Sequence, residues 1–233
     1  MTNLLQINTS ASVLVKTLSS LGVDSIFGYP GASVLSIYNE LSKADTIKHY
    51  LVRHEQAAAH AAEGYARASG KTGVVLVTSG PGFTNTITGI ANAYADSTPL
   101  VILAGDVAGA DKKGKIFQSV DIQAIAGSCC KKTFKLNPQD DIAQIIQEAF
   151  KEASTGVILP RNILEDEYRN ENRASIPAAK ISKKDFSVEL KEFTNLLNAS
   201  KRPLILIGGG CIDASAEIEQ FVSVLQIPVV STL

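Results

Sequence analysis

The 233-residue sequence predicts an α/β fold in which helices flank an open parallel sheet. Two observations support this prediction. Segments with apolar residues at helical spacing alternate with short apolar runs along most of the chain. Several of those runs, including GVVLV at 73–77 and PLVILAGD at 99–106, are continuous and rich in β-branched residues. Such runs are typical of strands buried on both faces, and therefore of parallel sheets covered by helices.

The first helix is predicted from Ser10 to Leu21, where apolar residues recur at helical spacing and Gly22 follows as a stop signal. VDSIFGYPGAS then predicts a strand, a tight Gly/Pro turn and a second helix capped near Ser33. IKHYLV is the next predicted strand, and the alanine-rich segment after it is its helix.

The same alternation continues toward the middle of the chain. GVVLVTSGPGFTNT predicts a strand, a Gly-Pro-Gly turn and a helix, and PLVILAGD predicts another strand. Asn137 and Pro138 form a cap and first-turn pair that predicts a helix from Pro138 to Ser154, and the short strand VILP follows it.

A change of composition predicts the domain boundaries. We expect residues 1–165 to form the first domain, and residues 166–185, which are charged and without period, to form a linker. Residues 186–233 predict helix, strand, helix and strand, and we interpret them as the truncated start of a second, Rossmann-like α/β domain. Two strand–helix units of this size are too small to bury their own apolar faces.

Composition excludes several classes of partner. The formal net charge is −1, which offers no electrostatic basis for binding nucleic acid or an anionic membrane. No apolar run approaches the roughly 20 residues that span a bilayer, and MTNLLQINTSASVLVKTL does not read as a secretory signal. Three cysteines without framework spacing suit a reducing compartment, so a cytoplasmic location is predicted. His54 and His60 stand six apart and diverge on a helix, so we predict no metal site among these residues.

Three predicted strands end in turns that could meet a ligand: Gly-Tyr-Pro-Gly at 28–31, Arg-His-Glu at 53–55 and Thr-Ser-Gly-Pro-Gly at 78–82. In an open parallel sheet the ligand crevice lies outside the carboxyl ends of the strands. Glu55 is the only carboxylate in these turns. It has two interpretations: a first-turn glutamate favoured by the helix dipole, or a proton donor or acceptor in an apolar crevice.

Three segments carry a resemblance to a known family. FGYPGASVLSIYNEL at 27–41, the run from LVRHEQ to TPLVIL at 51–103, and FQSVDI at 117–122 resemble the pyrimidine-binding domain of thiamine-diphosphate enzymes. Within that family they are most similar to the catalytic subunit of acetohydroxyacid (acetolactate) synthase. The resemblance covers about residues 10–165, and KRPLILIGGG at 201–210 is similar to the start of the family's central domain.

The resemblance implies roles for individual residues. The glutamate matching Glu55 hydrogen-bonds the aminopyrimidine ring of thiamine diphosphate and so assists removal of the thiazolium proton; the cofactor supplies the carbanion chemistry. Glu55 and Gln118 are the implied catalytic residues. The implied cofactor-binding residues are Tyr29, Pro30, Gly31, Glu55, Ser79, Gly80, Pro81 and Asn85. The implied substrate side comprises Ala32, Phe117 and Gln118, with Ala32 standing where the synthase usually has glycine.

The resemblance also bears on the other cofactors. Magnesium is implied through ligands in a diphosphate-binding domain that lies outside these residues. Between Gly156 and Pro160 only VIL remains, whereas the family has a longer segment with an arginine that contacts FAD. We therefore expect weak or no FAD binding.

The implied activity is condensation of two pyruvates, or of pyruvate with 2-oxobutyrate, with loss of carbon dioxide. This is the first shared step of isoleucine and valine biosynthesis. The implied partners are a second copy, through the pyrimidine-binding domain, and a regulatory subunit. Alternatives are a pyruvate oxidase or another 2-oxoacid decarboxylase, and a non-catalytic interaction module. Because the family's active site lies between two domains, we expect this chain to be inactive alone.

Overall fold

The computed structural model describes residues 8–107, 116–153, 155–168 and 185–232. The chain divides into two compact units, Met1–Arg173 and Ala174–Leu233. Most of the proposed linker, like the first residues of the chain, lies outside the described ranges. The boundaries at 165 and 185 therefore stay a prediction.

The first unit is built on six parallel strands, so the predicted α/β fold is confirmed. The strands are β1 (Ser25–Gly28), β2 (Lys48–Leu51), β3 (Gly73–Val77), β4 (Leu100–Asp106), β5 (Lys132–Lys135) and β6 (Thr155–Pro160). Their order in the sheet is β2-β1-β3-β4-β6-β5. The edge strand β5 was not predicted, because KTFK is short and half charged.

Eight described helices cover both faces of this sheet: α1 (Ser10–Ser20), α2 (Leu35–Leu41), α3 (Glu55–Ser69), α4 (Pro81–Thr84), α5 (Ile87–Ala95), α6 (Ile122–Ala126), α7 (Ile142–Glu152) and α8 (Arg161–Glu165). Successive side chains of β3 point to opposite faces of the sheet, as in any strand, and so pack into two separate hydrophobic cores. Val74 and Leu76 pack with α1, α2, α7 and α8. Val75 and Val77 pack with α3, α4, α5 and α6.

The alanine-rich sequence of α3 reflects close packing on two sides. A Cβ atom placed on Gly89 of α5 would lie 2.5 Å from the Cβ of Ala59. A Cβ atom placed on Gly73 of β3 would lie 2.3 Å from the Ala62 carbonyl oxygen. Only small side chains allow the helix to approach its neighbours this closely, and this packing fixes the axis of α3.

A buried carboxylate strengthens the contact between α3 and α5. Glu63 is 5% exposed. Asn92 Nδ2 donates to its two oxygens at 2.8 and 3.0 Å, and the Arg67 guanidinium donates at 2.7 Å. Burial alone would raise the pKa of Glu63, but the hydrogen bonds from Asn92 and Arg67 outweigh burial and lower that pKa. Arg67 also pairs with Asp96, just after α5.

The predicted helix from Pro138 to Ser154 was wrong at its start. The helix, α7, begins at Ile142, because the Asp141 carboxylate caps it by accepting from the N–H groups of Ala143 (2.9 Å) and Gln144 (3.3 Å). Asn137 belongs instead to a separate turn, in which its side chain donates to Asp140 at 2.9 Å. Two capping sequences stand close together here, and the second one starts the helix.

The second unit contains the four predicted elements: α9 (Ser187–Ala199), β7 (Ile205–Ile207), α10 (Ser215–Leu225) and β8 (Val229–Ser231). Strands β7 and β8 pair in parallel. Large apolar side chains of this unit are exposed, including Val188 at 77%, Val224 at 75% and Leu206 at 69%. Among the described helices of the chain, none combines the length and apolar character needed to cross a membrane.

Candidate functional site

The three turns singled out in the sequence lie at one edge of the sheet. Strand β1 lies between β2 and β3, and Gly28 at its end is in register with both Leu51 and Leu76. Because all three strands are parallel, the chain leaves each of them at the same edge. The structure thereby brings together the segments that contain Tyr29, Glu55 and Ser79.

Glu55 is the first residue of α3. His54 caps this helix, with extended backbone and its Nδ1 accepting the Gln56 N–H at 3.2 Å. The carboxylate of Glu55 therefore lies at the positive end of the helix dipole. It is half-buried, and its Oε2 accepts a hydrogen bond from Asn85 Nδ2 at 2.9 Å.

The contact between Glu55 and Asn85 distinguishes this carboxylate from an ordinary first-turn glutamate. Asn85 directly follows α4, so the bond ties the turn after β2 to the helix after β3. The other carboxylate oxygen, Oε1, lies 3.7 Å from the position of a Cβ atom placed on Gly82. Asn85 thus holds one oxygen, and the second is directed over the start of α4.

One glycine of the first turn and one of the third, Gly31 and Gly82, are required by the same threonine. A Cβ atom on Gly31 would lie 2.4 Å from the Thr78 Cβ, and a Cβ atom on Gly82 would lie 2.7 Å from the Thr78 Cγ2. The sequence suggested that these glycines admit a ligand. In the structure they admit the Thr78 side chain, which packs between the two turns.

Gly80 brings Gln118 to the third turn. Its φ of 57° and ψ of −112° lie in a region that only glycine adopts readily. A Cβ atom there would lie 2.2 Å from the Gln118 carbonyl oxygen, and Gln118 itself has a φ of 58°. The neighbouring Phe117 is 86% exposed. Two of the candidate residues, Gly80 and Gln118, are therefore in backbone contact.

The sequence predicted a helix capped near Ser33, and the cap position of α2 is the next residue, Val34, but no side chain caps the helix. Helix α2 begins at Leu35, after a 3₁₀ turn from Ala32 to Val34. The Ser33 hydroxyl is buried and bonds Thr78 Oγ1 and the Ser79 N–H, each at 2.9 Å. No local pattern signals these contacts, because they join residues 45 and 46 positions apart.

The remaining candidate residues form the rim of this edge. Tyr29 is 42% exposed, and its backbone N–H bonds the Leu76 carbonyl oxygen at 3.2 Å. Pro30 and Ala32 are exposed on the same turn, and Pro81 is exposed at the start of α4, while Ser79 is buried.

Among the described residues, no group of three or more histidines, cysteines, aspartates or glutamates is arranged to hold a metal ion.

The assembled edge has a definite chemistry. It offers the Glu55 carboxylate, which Asn85 orients, and a closely packed backbone floor at Ser79 and Gly80. Around them lie the exposed side chains of Tyr29, Pro30 and Pro81. Such a surface can receive a flat heteroaromatic ring and hydrogen-bond one of its ring nitrogens.

Two family descriptions match the chain. Residues 8–125 match the N-terminal TPP binding domain of thiamine pyrophosphate enzymes, and residues 190–233 match the central domain of the same enzymes. The first match falls within the first compact unit and the second within the second unit.

Similar proteins include large subunits of acetolactate synthase. The chain is 43% identical to that of Lactococcus lactis, with 97% of this chain and 41% of that protein covered. It is 40% identical to the isozyme 3 large subunit of Escherichia coli, covering 97% of this chain and 41% of that protein. A probable acetolactate synthase large subunit of Methanocaldococcus jannaschii is 39% identical, covering 96% of this chain and 40% of that protein. The chain thus spans about two-fifths of the length of these relatives.

The order of the two matched domains agrees with the order of the two units, and the first match includes the three turns at the edge of the sheet. The chain belongs to the thiamine pyrophosphate enzyme family.

Proposed function

We propose that this chain supplies the pyrimidine-binding half of an acetolactate synthase active site. The observation that carries the proposal is the Glu55 carboxylate, placed at the carboxyl edge of the sheet and held there by Asn85. The similarity to acetolactate synthase large subunits supports the choice of activity within the family. Residues 1–165 are proposed as the pyrimidine-binding domain, 166–185 as the linker and 186–233 as part of the central domain.

The described residues fit the aminopyrimidine of thiamine diphosphate. Asn85 occupies Oε2 of Glu55, which leaves Oε1 to hydrogen-bond a ring nitrogen. The exposed side chains of Tyr29, Pro30 and Pro81 would lie against the ring, with the Ser79–Gly80 backbone as the floor. When bound, the cofactor supplies the carbanion chemistry. The part of Glu55 is to hold or release a proton at that ring nitrogen.

The substrate side is proposed at Ala32, Phe117 and Gln118. Phe117 and Gln118 follow residues 108–115, which lie outside the described ranges, and they contact the floor through Gly80. Pyruvate and 2-oxobutyrate are the proposed substrates, and magnesium is proposed to bind in a diphosphate-binding domain outside these residues. A second copy and a regulatory small subunit are the proposed partners, in the cytoplasm.

The activity can be tested by joining residues 1–233 to the C-terminal remainder of the Lactococcus lactis large subunit. We expect this hybrid, supplied with pyruvate, thiamine diphosphate and magnesium, to form acetolactate. We expect the 233-residue chain alone to form none and to bind thiamine diphosphate at best about millimolar. The reason is that a few contacts, each worth about 1 kcal/mol, must offset an association cost of roughly 4 kcal/mol or more.

The intact Lactococcus lactis subunit is the control for the hybrid assay. Acetaldehyde or acetate as the main product would favour the decarboxylase and pyruvate oxidase alternatives. A folded hybrid that forms no product with any 2-oxoacid would favour the non-catalytic alternative. Micromolar cofactor binding by the chain alone would contradict the proposed division of the site between two domains.

A separate prediction concerns FAD. Strand β6 runs from Thr155 to Pro160, and α8 begins immediately at Arg161. Only three residues therefore lie between Gly156 and Pro160, where the resemblance implies a longer segment with an arginine that contacts FAD. We expect weak or no FAD binding: the purified chain should not retain stoichiometric flavin, and titration with FAD should change flavin fluorescence little or not at all. Copurification of flavin at stoichiometric level would show that other residues replace the arginine.

A further inference from the structure

Ser33 lies in the turn after β1, and its hydroxyl group joins that turn to the one after β3. The residue is 5% exposed. Its Oγ accepts a hydrogen bond from the Ser79 backbone N–H at 2.9 Å and forms a second bond with Thr78 Oγ1 at 2.9 Å. These two bonds connect the turn after β1 directly to the turn after β3.

The space for the Ser33 hydroxyl is provided by a glycine of β4, Gly105. A Cβ atom placed on Gly105 of β4 would lie 2.2 Å from the Ser33 Oγ and 2.9 Å from the Ser33 Cβ. The absence of a side chain at Gly105 therefore admits the hydroxyl between β3 and the first turn. Its partners Thr78 and Ser79 are 9% and 1% exposed, so water does not readily replace a lost bond.

The turn held by Ser33 is the one that faces Glu55. Gly82 stands three residues after Ser79, and the Glu55 Oε1 lies 3.7 Å from a Cβ atom placed on it. Thr78 is held twice, by its bond to Ser33 and by its packing against Gly31. A shift of Ser79 would therefore change the distance between the glycine floor and the carboxylate.

We propose that Ser33 is a positioning residue of the pyrimidine pocket. This pocket is the space between the three turns at the edge of the sheet. By holding the Ser79 N–H and the Thr78 hydroxyl, Ser33 fixes the turn after β3 against the turn after β1, and so sets the distance between the turn after β3 and Glu55. This inference rests on the proposed function, with a flat aminopyrimidine as the ligand class. Ser33 acts through its two partners, because its own hydroxyl is occupied by them.

The test compares the 233-residue chain with its Ser33→Ala and Ser25→Ala variants by nuclear magnetic resonance, with thiamine as the probe. Ser25 is a matched control: it is 8% exposed, lies at the opposite end of β1, and donates its hydroxyl to Asp24 at 2.7 Å. Two quantities are measured: the hydrogen-exchange rate of the Ser79 amide, and the thiamine concentration that half-saturates the shifts of Thr78, Ser79 and Gly80.

We expect Ser33→Ala to speed Ser79 amide exchange about tenfold and to weaken the thiamine response by at least about fivefold, the scale of one lost buried hydrogen bond. Ser25→Ala should lower the urea midpoint of unfolding comparably but leave both site measurements within about twofold of the original chain. A merely structural role would predict the same result for the two variants.

An unchanged Ser79 exchange rate, or an unchanged thiamine response, in Ser33→Ala would overturn the inference. If thiamine, raised well above the millimolar range expected for this chain alone, leaves the turn signals of the original chain unmoved, the proposed binding site itself is contradicted. The Ser79 exchange data separate that result from a failure of Ser33 alone. Should Ser33→Ala not fold, Thr78→Val takes its place, because it removes one of the two bonds at nearly constant volume. A weakened thiamine response in Thr78→Val supports the inference, and an unchanged response overturns it.

Discussion

Glu55→Gln in the hybrid enzyme is expected to slow hydrogen–deuterium exchange at the thiazolium carbon of bound cofactor by at least about two orders of magnitude, the scale of a positioned proton-transfer group. Glutamine keeps the length of the side chain and can still accept from Asn85 Nδ2 through its carbonyl oxygen. It loses the negative charge and the ability to hold a proton at the ring nitrogen. Samples are quenched in acid at successive times, and nuclear magnetic resonance measures how much proton remains on the thiazolium carbon.

A control variant, Glu217→Gln, separates a catalytic role of Glu55 from a role limited to stabilising the helix dipole. Glu217 stands in the first turn of α10, in the second unit, as Glu55 stands in the first turn of α3. Glu217→Gln removes a comparable dipole interaction, worth about 0.3 to 1 kcal/mol, and should leave the exchange rate unchanged. An exchange rate for Glu55→Gln within about twofold of the original would return Glu55 to the helix-dipole interpretation.

Gly80→Ala is expected to destabilise the first unit by about 3 kcal/mol, because the new Cβ would collide with backbone and the residue would keep a strained conformation. The Cβ would lie 2.2 Å from the Gln118 carbonyl oxygen, and φ is 57°. The loop that carries Phe117 must move to relieve this overlap. Urea unfolding measures the loss in free energy. Phe117→Trp adds a fluorescent reporter to a chain that contains no tryptophan.

Gly70→Ala is the matched control for this substitution. Gly70 ends α3 with a φ of 70°, and among the described residues no atom comes within 4 Å of an added Cβ. The control therefore measures only the cost of placing alanine at a positive φ, about 1 to 2 kcal/mol. Equal losses for the two variants would show that Gly80 and Gln118 are not in contact in solution.

The elements with long regular patterns were predictable from the sequence. The buried runs that became β3 and β4 are continuous and apolar, and the alanine-rich α3 has a helix-stop glycine at Gly70. Because parallel strands end at the same edge of a sheet, the meeting of the three turns also follows from the strand assignments.

Contacts between distant residues could not be predicted in the same way. The resemblance implies a cofactor contact for Asn85, which stays a prediction, whereas the bond from its amide to Glu55, thirty positions away, was not predicted. Ser33 has the position and chemistry of a cap, but two buried partners on another strand compete for its hydroxyl. Between residues 137 and 141 the sequence offers two capping residues, Asn137 and Asp141. The helix begins after Asp141, because its carboxylate accepts hydrogen bonds from two backbone N–H groups of the first turn. Local propensity does not rank such competitors, since tertiary partners decide among them.

The close packing of α3 on α5 and β3 also constrains how the length of this segment can vary. Adding or deleting one residue in an α-helix turns everything beyond it by about 100° and moves it by about 1.5 Å along the axis. With Ala59 fixed against Gly89 and Glu63 anchored by Asn92, a single insertion between Glu55 and Ala59 would swing the carboxylate away from Asn85. The segment from His54 to Ala59 therefore acts as a spacer of fixed length, and insertions compatible with an intact site belong after Gly70.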